Sequence, residues 1–138
     1  GCVDIIELLI ENKVEIDVKE CVFNMSPLHI ACMNDHFNIV KTLIENNAFL
    51  DIKNTFGLTP LFYAKSNFGT FKLLIEYGAD INVKNIRGGT LLFAACINGC
   101  FDIVKYLIDK EADINIKNHC EETPLYSACR GGHVDIVE

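Results

Sequence analysis

The chain has 138 residues, half of them hydrophobic, and 12 Lys and Arg against 19 Asp and Glu give a net charge of −7. An acidic chain without a basic stripe repels phosphate backbones, so nucleic acid is excluded as an expected partner. The lack of any apolar run long enough to span a membrane, the lack of a charged and apolar leader, and an odd count of seven cysteines argue against membrane insertion and secretion; the expected location is intracellular, in the cytoplasm.

The first predicted element is a helix over Ile5-Ile6-Glu7-Leu8-Leu9-Ile10, whose apolar residues at i, i+1, i+4 and i+5 line one stripe. Asp17-Val18-Lys19-Glu20 then alternates polar and apolar residues before a turn, as half of a short hairpin would. Ser26-Pro27-Leu28-His29 opens the next helix. Ser26 is suited to accept from the free backbone N–H groups, and Pro27 takes the first helical position, where a missing N–H is harmless. Ile39-Val40-Lys41-Thr42-Leu43-Ile44 repeats the amphipathic stripe and Asp51-Ile52-Lys53-Asn54 the hairpin arm.

The same phrases then return in phase. Thr59-Pro60-Leu61-Phe62 and Asn82-Val83-Lys84-Asn85 are followed by Thr90-Leu91-Leu92-Phe93, Ile103-Val104-Lys105-Tyr106-Leu107-Ile108 and Asn115-Ile116-Lys117-Asn118, and Thr123-Pro124-Leu125-Tyr126 begins another round. The four cap positions are spaced by 33, 31 and 33 residues, a period at which one supersecondary unit stacks on the next. Ala31, Ala64, Ala95 and Ala128 recur five residues after each cap, where a small side chain lets neighbouring helices approach closely. Cys32, Cys96 and Cys129 follow them and read as small buried residues, whereas Cys120 falls in a hairpin tip.

A helix, a second helix and a hairpin arm with the Thr-Pro-Leu-His-x-Ala phrase make the sequence resemble the ankyrin repeat family over essentially its whole length. The resemblance implies an all-α repeat solenoid: a curved stack of helix-turn-helix repeats with short β-hairpin loops. The repeats run 25–57, 58–88 and 89–121, with partial repeats at 1–24 and 122–138, and the chain reads as a section of a longer array because Gly1 and Glu138 both fall within a second helix. The family also implies a protein partner, of a kind the sequence does not name, held by the hairpin tips and the concave face of the first helices. By register the tip residues are Thr55, Phe56, Leu58, Ile86, Arg87, Gly89, His119, Cys120 and Glu122, and the helix residues Met33, Asn34, Ser66, Asn67, Ile97, Asn98 and Arg130. Phe56, Ile86, Met33 and Ile97 are apolar where a solubility-optimised array would be polar.

Departures from the repeat carry expectations of their own. Gly57 and Gly88 stand two residues before a cap, at a turn expected to need positive φ, where the other repeats have Asn24 and Glu121. The slot after the second helix holds Gly78 once and Lys13, Asn47 and Glu111 elsewhere. Leu91 replaces the expected Pro, and the loop from Asp17 to Ser26 is one residue longer than that from Asp51 to Thr59. Ala64 to Phe68 spans four positions where Ala31 to Phe37 and Ala95 to Phe101 span six, so the repeat at 58–88 lacks two residues between its helices. Lys65 stands there in the slot of Cys32, which suggests a point turned toward solvent and a weak joint.

No catalytic constellation emerges. Ser127, His133 and Asp135 could be imagined as a triad, but the last two open a second helix in the register of His36 and Asn38, and no nucleophile elbow or phosphate-cradling loop is present. A metal reading would recruit His119, Cys120, Cys129 and His133, or Cys96 with Cys100, yet no Cys-x-x-Cys pair exists. No enzyme activity, cofactor, metal or small-molecule substrate is therefore expected. Two other readings compete with a binding module: a regulatory or targeting arm of a larger enzyme or infection-related effector, and a redox or metal sensor acting through the cysteines.

Overall fold

In the computed structural model, which describes residues 2–137 apart from the side chains of Cys2 and Ser66, each of the four caps stands in extended backbone immediately before a helix. Gly1 and Glu138 lie outside the described residues. The helices are α1 (Cys2–Glu11), α2 (Pro27–Met33), α3 (Phe37–Glu45), α4 (Pro60–Tyr63), α5 (Phe68–Glu76), α6 (Leu91–Asn98), α7 (Phe101–Asp109), α8 (Pro124–Gly131) and α9 (Val134–Val137). A 3-10 turn at Ala64–Ser66 continues α4. Among the described residues no β-strand forms, so the arms read as short β-hairpins are tight turns without a strand ladder, within an all-α repeat fold.

The helices gather into two compact units, Gly1–Asp80 and Ile81–Glu138. In the first, α2 packs on α3 and α4, and α3 packs on α1 and α5. In the second, α6 packs on α7 and α8, and α9 on α7 and α8. First helices therefore meet first helices. Ala31, Ala64, Ala95 and Ala128 are all buried, which explains the small residue in that slot. The amphipathic stripe buries Val40, Leu43 and Ile44 in α3, Phe71 and Leu74 in α5, and Ile103, Val104 and Leu107 in α7, each large aliphatic residue contributing about 1.5–3 kcal/mol. Ile108 departs from the stripe and stays half exposed.

Only two of the four expected caps bond through their side chains. Ser26 accepts from the His29 N–H, and the Ser26 N–H in turn donates to His29 Nδ1 at 3.1 Å. Thr123 accepts from the Tyr126 N–H at 3.3 Å. Thr59 and Thr90 make no such bond. At Thr59 the Phe62 N–H bonds the Thr59 carbonyl at 3.0 Å instead, and the hydroxyl is left buried and unpartnered. A tightened first turn has taken the amide that the hydroxyl would have served.

Both special turn slots are left-handed. Asn24, Gly57, Gly88 and Glu121 have φ of 55°, 70°, 77° and 61°, and Lys13, Asn47, Gly78 and Glu111 have 62°, 64°, 97° and 60°. A third such residue, Asp35, Gly99 or Gly132, turns the chain between the two helices of three repeats. The repeat at 58–88 has none there. Its first helix shortens to a single α-turn and a 3-10 turn, and Asn67 in extended backbone caps α5 directly, its Oδ1 accepting from Gly69 N–H at 3.0 Å and Thr70 N–H at 3.1 Å. The two missing residues are thus those of the left-handed turn, and Lys65 stands exposed as its chemistry requires.

His29 binds the first unit internally. Its Nε2–H donates to the Leu58 carbonyl at 3.0 Å, and its ring meets Tyr63 edge-on at 5.9 Å. Burial pushes its pKa below the usual 6.5, against the opposing pull of the Leu58 carbonyl and with a smaller push from Lys19. The unfolded chain then binds the proton more readily. The stabilisation is complete above about pH 6.5 and is lost as pH falls through the depressed folded value.

Three outcomes follow. Thermal unfolding between about pH 8 and 5 should show a midpoint falling below pH 6.5, with a shallower fall in His29→Phe, the residue type that Phe62 and Phe93 place in this slot. Denaturant unfolding of Glu111→Gly should show up to about 1 kcal/mol of added stability, since Glu111 is exposed in a left-handed conformation. Asn67→Ala should lose about 1 kcal/mol in the same measurement, because no left-handed turn is present to replace the cap.

Candidate protein-interaction surface

Each hairpin tip is built around one polar side chain. Asn54 Oδ1 accepts from the N–H groups of Phe56 and Leu58 at 2.9 and 3.0 Å, Asn85 Oδ1 from those of Arg87 and Gly89 at 2.9 and 3.1 Å, and Asn118 Oδ1 from those of Cys120 and Glu122 at 2.8 and 3.0 Å. The same asparagines close the turn by donating from their backbone to the carbonyl four residues on. In the longer first loop the closing bond spans five residues, from Glu20 to Met25, and the longer Glu20 carboxylate replaces the amide. It accepts from Val22, Phe23 and Met25 N–H groups, and those bonds, with Val22 foremost, hold its pKa below the usual carboxylate value.

Within each unit, neighbouring tips are joined by a backbone bond: Thr55 N–H to the Phe23 carbonyl at 2.9 Å and His119 N–H to the Arg87 carbonyl at 3.0 Å. The second brings the His119 ring over Gly88. A Cβ on Gly88 would lie 2.6 Å from that ring and 3.0 Å from its backbone nitrogen, so glycine is required there by contact as well as by φ.

In the second unit these constraints bring half of the candidate residues to one groove of about 590 Å³. Ile86, Arg87 and Gly89 come from one tip, His119, Cys120 and Glu122 from the next, Ile97 from α6 and Arg130 from α8. Glu122 accepts from Asn118 Nδ2 at 2.7 Å and pairs with Arg130 at 3.1 Å. Sequence register missed Thr90, Phe93 and Ala94, which also line this groove from the start of α6; apolar residues beside an expected concave face were the available signal. Asn98 stays outside it and returns its amide to the Ala94 carbonyl.

In the first unit the candidate residues have separate local surroundings. Phe56 is 46 % exposed and stacks on Phe23, 51 % exposed, with ring centroids 6.0 Å apart. Phe23 was not among the expected contacts, although it lies 33 residues before Phe56 in the same slot. Met33 and Thr55 are exposed, Leu58 is half-buried and supplies the carbonyl that His29 holds, and Asn34 turns its amide to the Ile30 carbonyl. Asn67 spends its side chain on the α5 cap, and the side chain of Ser66 lies outside the described residues. A separate, nearly wholly apolar trough of about 530 Å³ runs between α1 and α2, lined by Leu9, Val14, Ile30 and Ile39 among others.

Cys32 and Cys96 are buried as expected, and burial raises their thiol pKa values to about 12 and about 11. Cys129, expected to be buried with them, is exposed. Its helix, α8, packs on α6 and α9. His133 is committed to structure through its Nε2 bond to the Ile97 carbonyl at 3.1 Å. Among the described residues no three His, Cys, Asp or Glu side chains converge on a possible metal position, and no helix is long and apolar enough to cross a membrane.

Comparison with known proteins agrees with the geometry. The family model for ankyrin repeats in three copies matches residues 1–85 and 68–138. A putative ankyrin repeat protein of Rickettsia bellii (strain RML369-C) is 45% identical over 56 residues, which cover 41% of this chain and 20% of that relative. The match thus spans about a fifth of the relative's length. With the repeat phrases, the left-handed turn slots and the first-on-first helix packing all in phase, the chain belongs to the ankyrin repeat family.

Proposed function

We propose that this chain is a non-catalytic module that binds a protein partner through its hairpin tips and the exposed face of its first helices. The carrying observation is the second-unit groove, in which residues from two tips, α6 and α8 converge around a pair of apolar side chains, Ile86 and Ile97. The repeats at 25–57, 58–88 and 89–121, with the partial repeats 1–24 and 122–138, are read as one binding array, working in the cytoplasm. Tip backbones are satisfied by Asn54, Asn85 and Asn118, which leaves the outward side chains available for contact. The partial coverage of the Rickettsia relative favours one further reading, that the module is the regulatory or targeting arm of a larger enzyme or effector. The full reading frame in the source genome distinguishes the two.

Interface energy concentrates in a few anchors. Phe56→Ser, Ile86→Ser and Ile97→Ser should each weaken capture of the partner recovered by pull-down from the source cell, while shifting the thermal midpoint little. A large loss of stability with unaltered affinity would assign these residues to packing and remove the reading.

A further inference from the structure

On an acidic chain the second-unit groove is locally positive. Two arginines and one glutamate line it. Glu122 is engaged on both oxygens, by Arg130 at 3.1 Å and by Asn118 Nδ2 at 2.7 Å. Arg87 is exposed at the tip, and no carboxylate lies within ion-pair distance of it among the described residues. Among the described residues the groove therefore holds one uncompensated guanidinium next in sequence to Ile86, which is 60 % exposed, with the half-buried Ile97 and the buried Phe93 also in its lining. Its volume of about 590 Å³ falls within the range of about 300–1,000 Å³ typical of sites that enclose a ligand.

We propose that this groove takes an acidic peptide segment of the partner. A Glu or Asp carboxylate of the segment pairs with Arg87, and a neighbouring apolar side chain rests on Ile86, Phe93 and Ile97. The assignment rests on the protein-binding reading and adds the chemistry of the partner to it. The overall charge of −7 does not oppose it, because exposed charges are largely screened beyond about 8 Å at physiological ionic strength. A guanidinium in contact with a carboxylate forms short, charge-assisted hydrogen bonds that outweigh such screened repulsion. A nucleic-acid strand fits less well, since one uncompensated cation in the groove, among the described residues, offers little counterion release.

The test is selection of phage-displayed random dodecapeptides on the whole 138-residue chain, followed by fluorescence titration of the enriched sequences as synthetic peptides. The expected result is enrichment of peptides carrying Asp or Glu next to an apolar residue, with affinity that falls as salt is added. Arg87→Glu should weaken them by about tenfold or more, equivalent to about 1.4 kcal/mol, with a smaller loss in Arg87→Gln. Ile97→Ser should weaken them as well, and Phe49→Ser, at an exposed position of the other unit outside the candidate surface, should leave them unchanged. Circular dichroism of each variant confirms that it is folded. Enrichment of neutral or basic peptides that still depend on Ile97 would overturn the acidic assignment and leave the protein-binding reading standing. No enrichment, or enriched peptides indifferent to Ile86 and Ile97, would overturn both.

Discussion

A side-chain oxygen lying inside each hairpin turn is the constraint on which the exposed surface of this protein depends. Asn54, Asn85 and Asn118 each occupy two backbone N–H groups that no strand partner would otherwise satisfy. With the turn closed from within, the cap of the next helix follows five residues later each time, and tip side chains such as Thr55, Phe56, Ile86 and Arg87 are left exposed. Asn54 shows how fully the position is used. Its Oδ1 serves Phe56 and Leu58, and its Nδ2 reaches Tyr63 Oη at 2.9 Å and Met25 Sδ at 3.3 Å. The first loop obeys the same constraint with one more residue to enclose, and a Glu, one methylene longer than Asp or Asn, spans it.

Much of this fold was legible from the repeated phrases. The period, the helix starts and both left-handed slots follow from residue type at fixed spacing, because cap, proline and turn chemistry act over a few residues. What failed to be legible depends on packing. Ser26 and Thr59 both read as caps on paper, yet only Ser26 forms its bond, because at Thr59 the Phe62 N–H turns to the Thr59 carbonyl instead. Cys129 repeats the slot of Cys32 and Cys96 without their burial, because burial belongs to the neighbours of a helix and not to its own sequence.

The candidate surface was half legible for the same reason. Register located Ile86, Arg87, His119 and Ile97 one at a time. Their convergence depends on the backbone bond from His119 to Arg87, which couples residues 32 positions apart and leaves no local mark. The spacing shows that two residues are lacking between Ala64 and Phe68, but not that Asn67 caps α5 in their place, because which amides a side chain serves depends on the backbone path. Repeat arrays tolerate such local edits because each unit answers chiefly to its immediate neighbours.

Burial of Cys32 and Cys96 has a chemical consequence of its own. With thiol pKa values of about 12 and about 11, both remain protonated at neutral pH and are poor nucleophiles toward peroxides and disulfides. Cys21, Cys120 and Cys129 are exposed, so oxidants meet sulfur at the surface before they reach the interior. Of these, Cys120 lines the groove, so oxygen or a thiol added to its sulfur changes the surface that a partner meets rather than the packing beneath it.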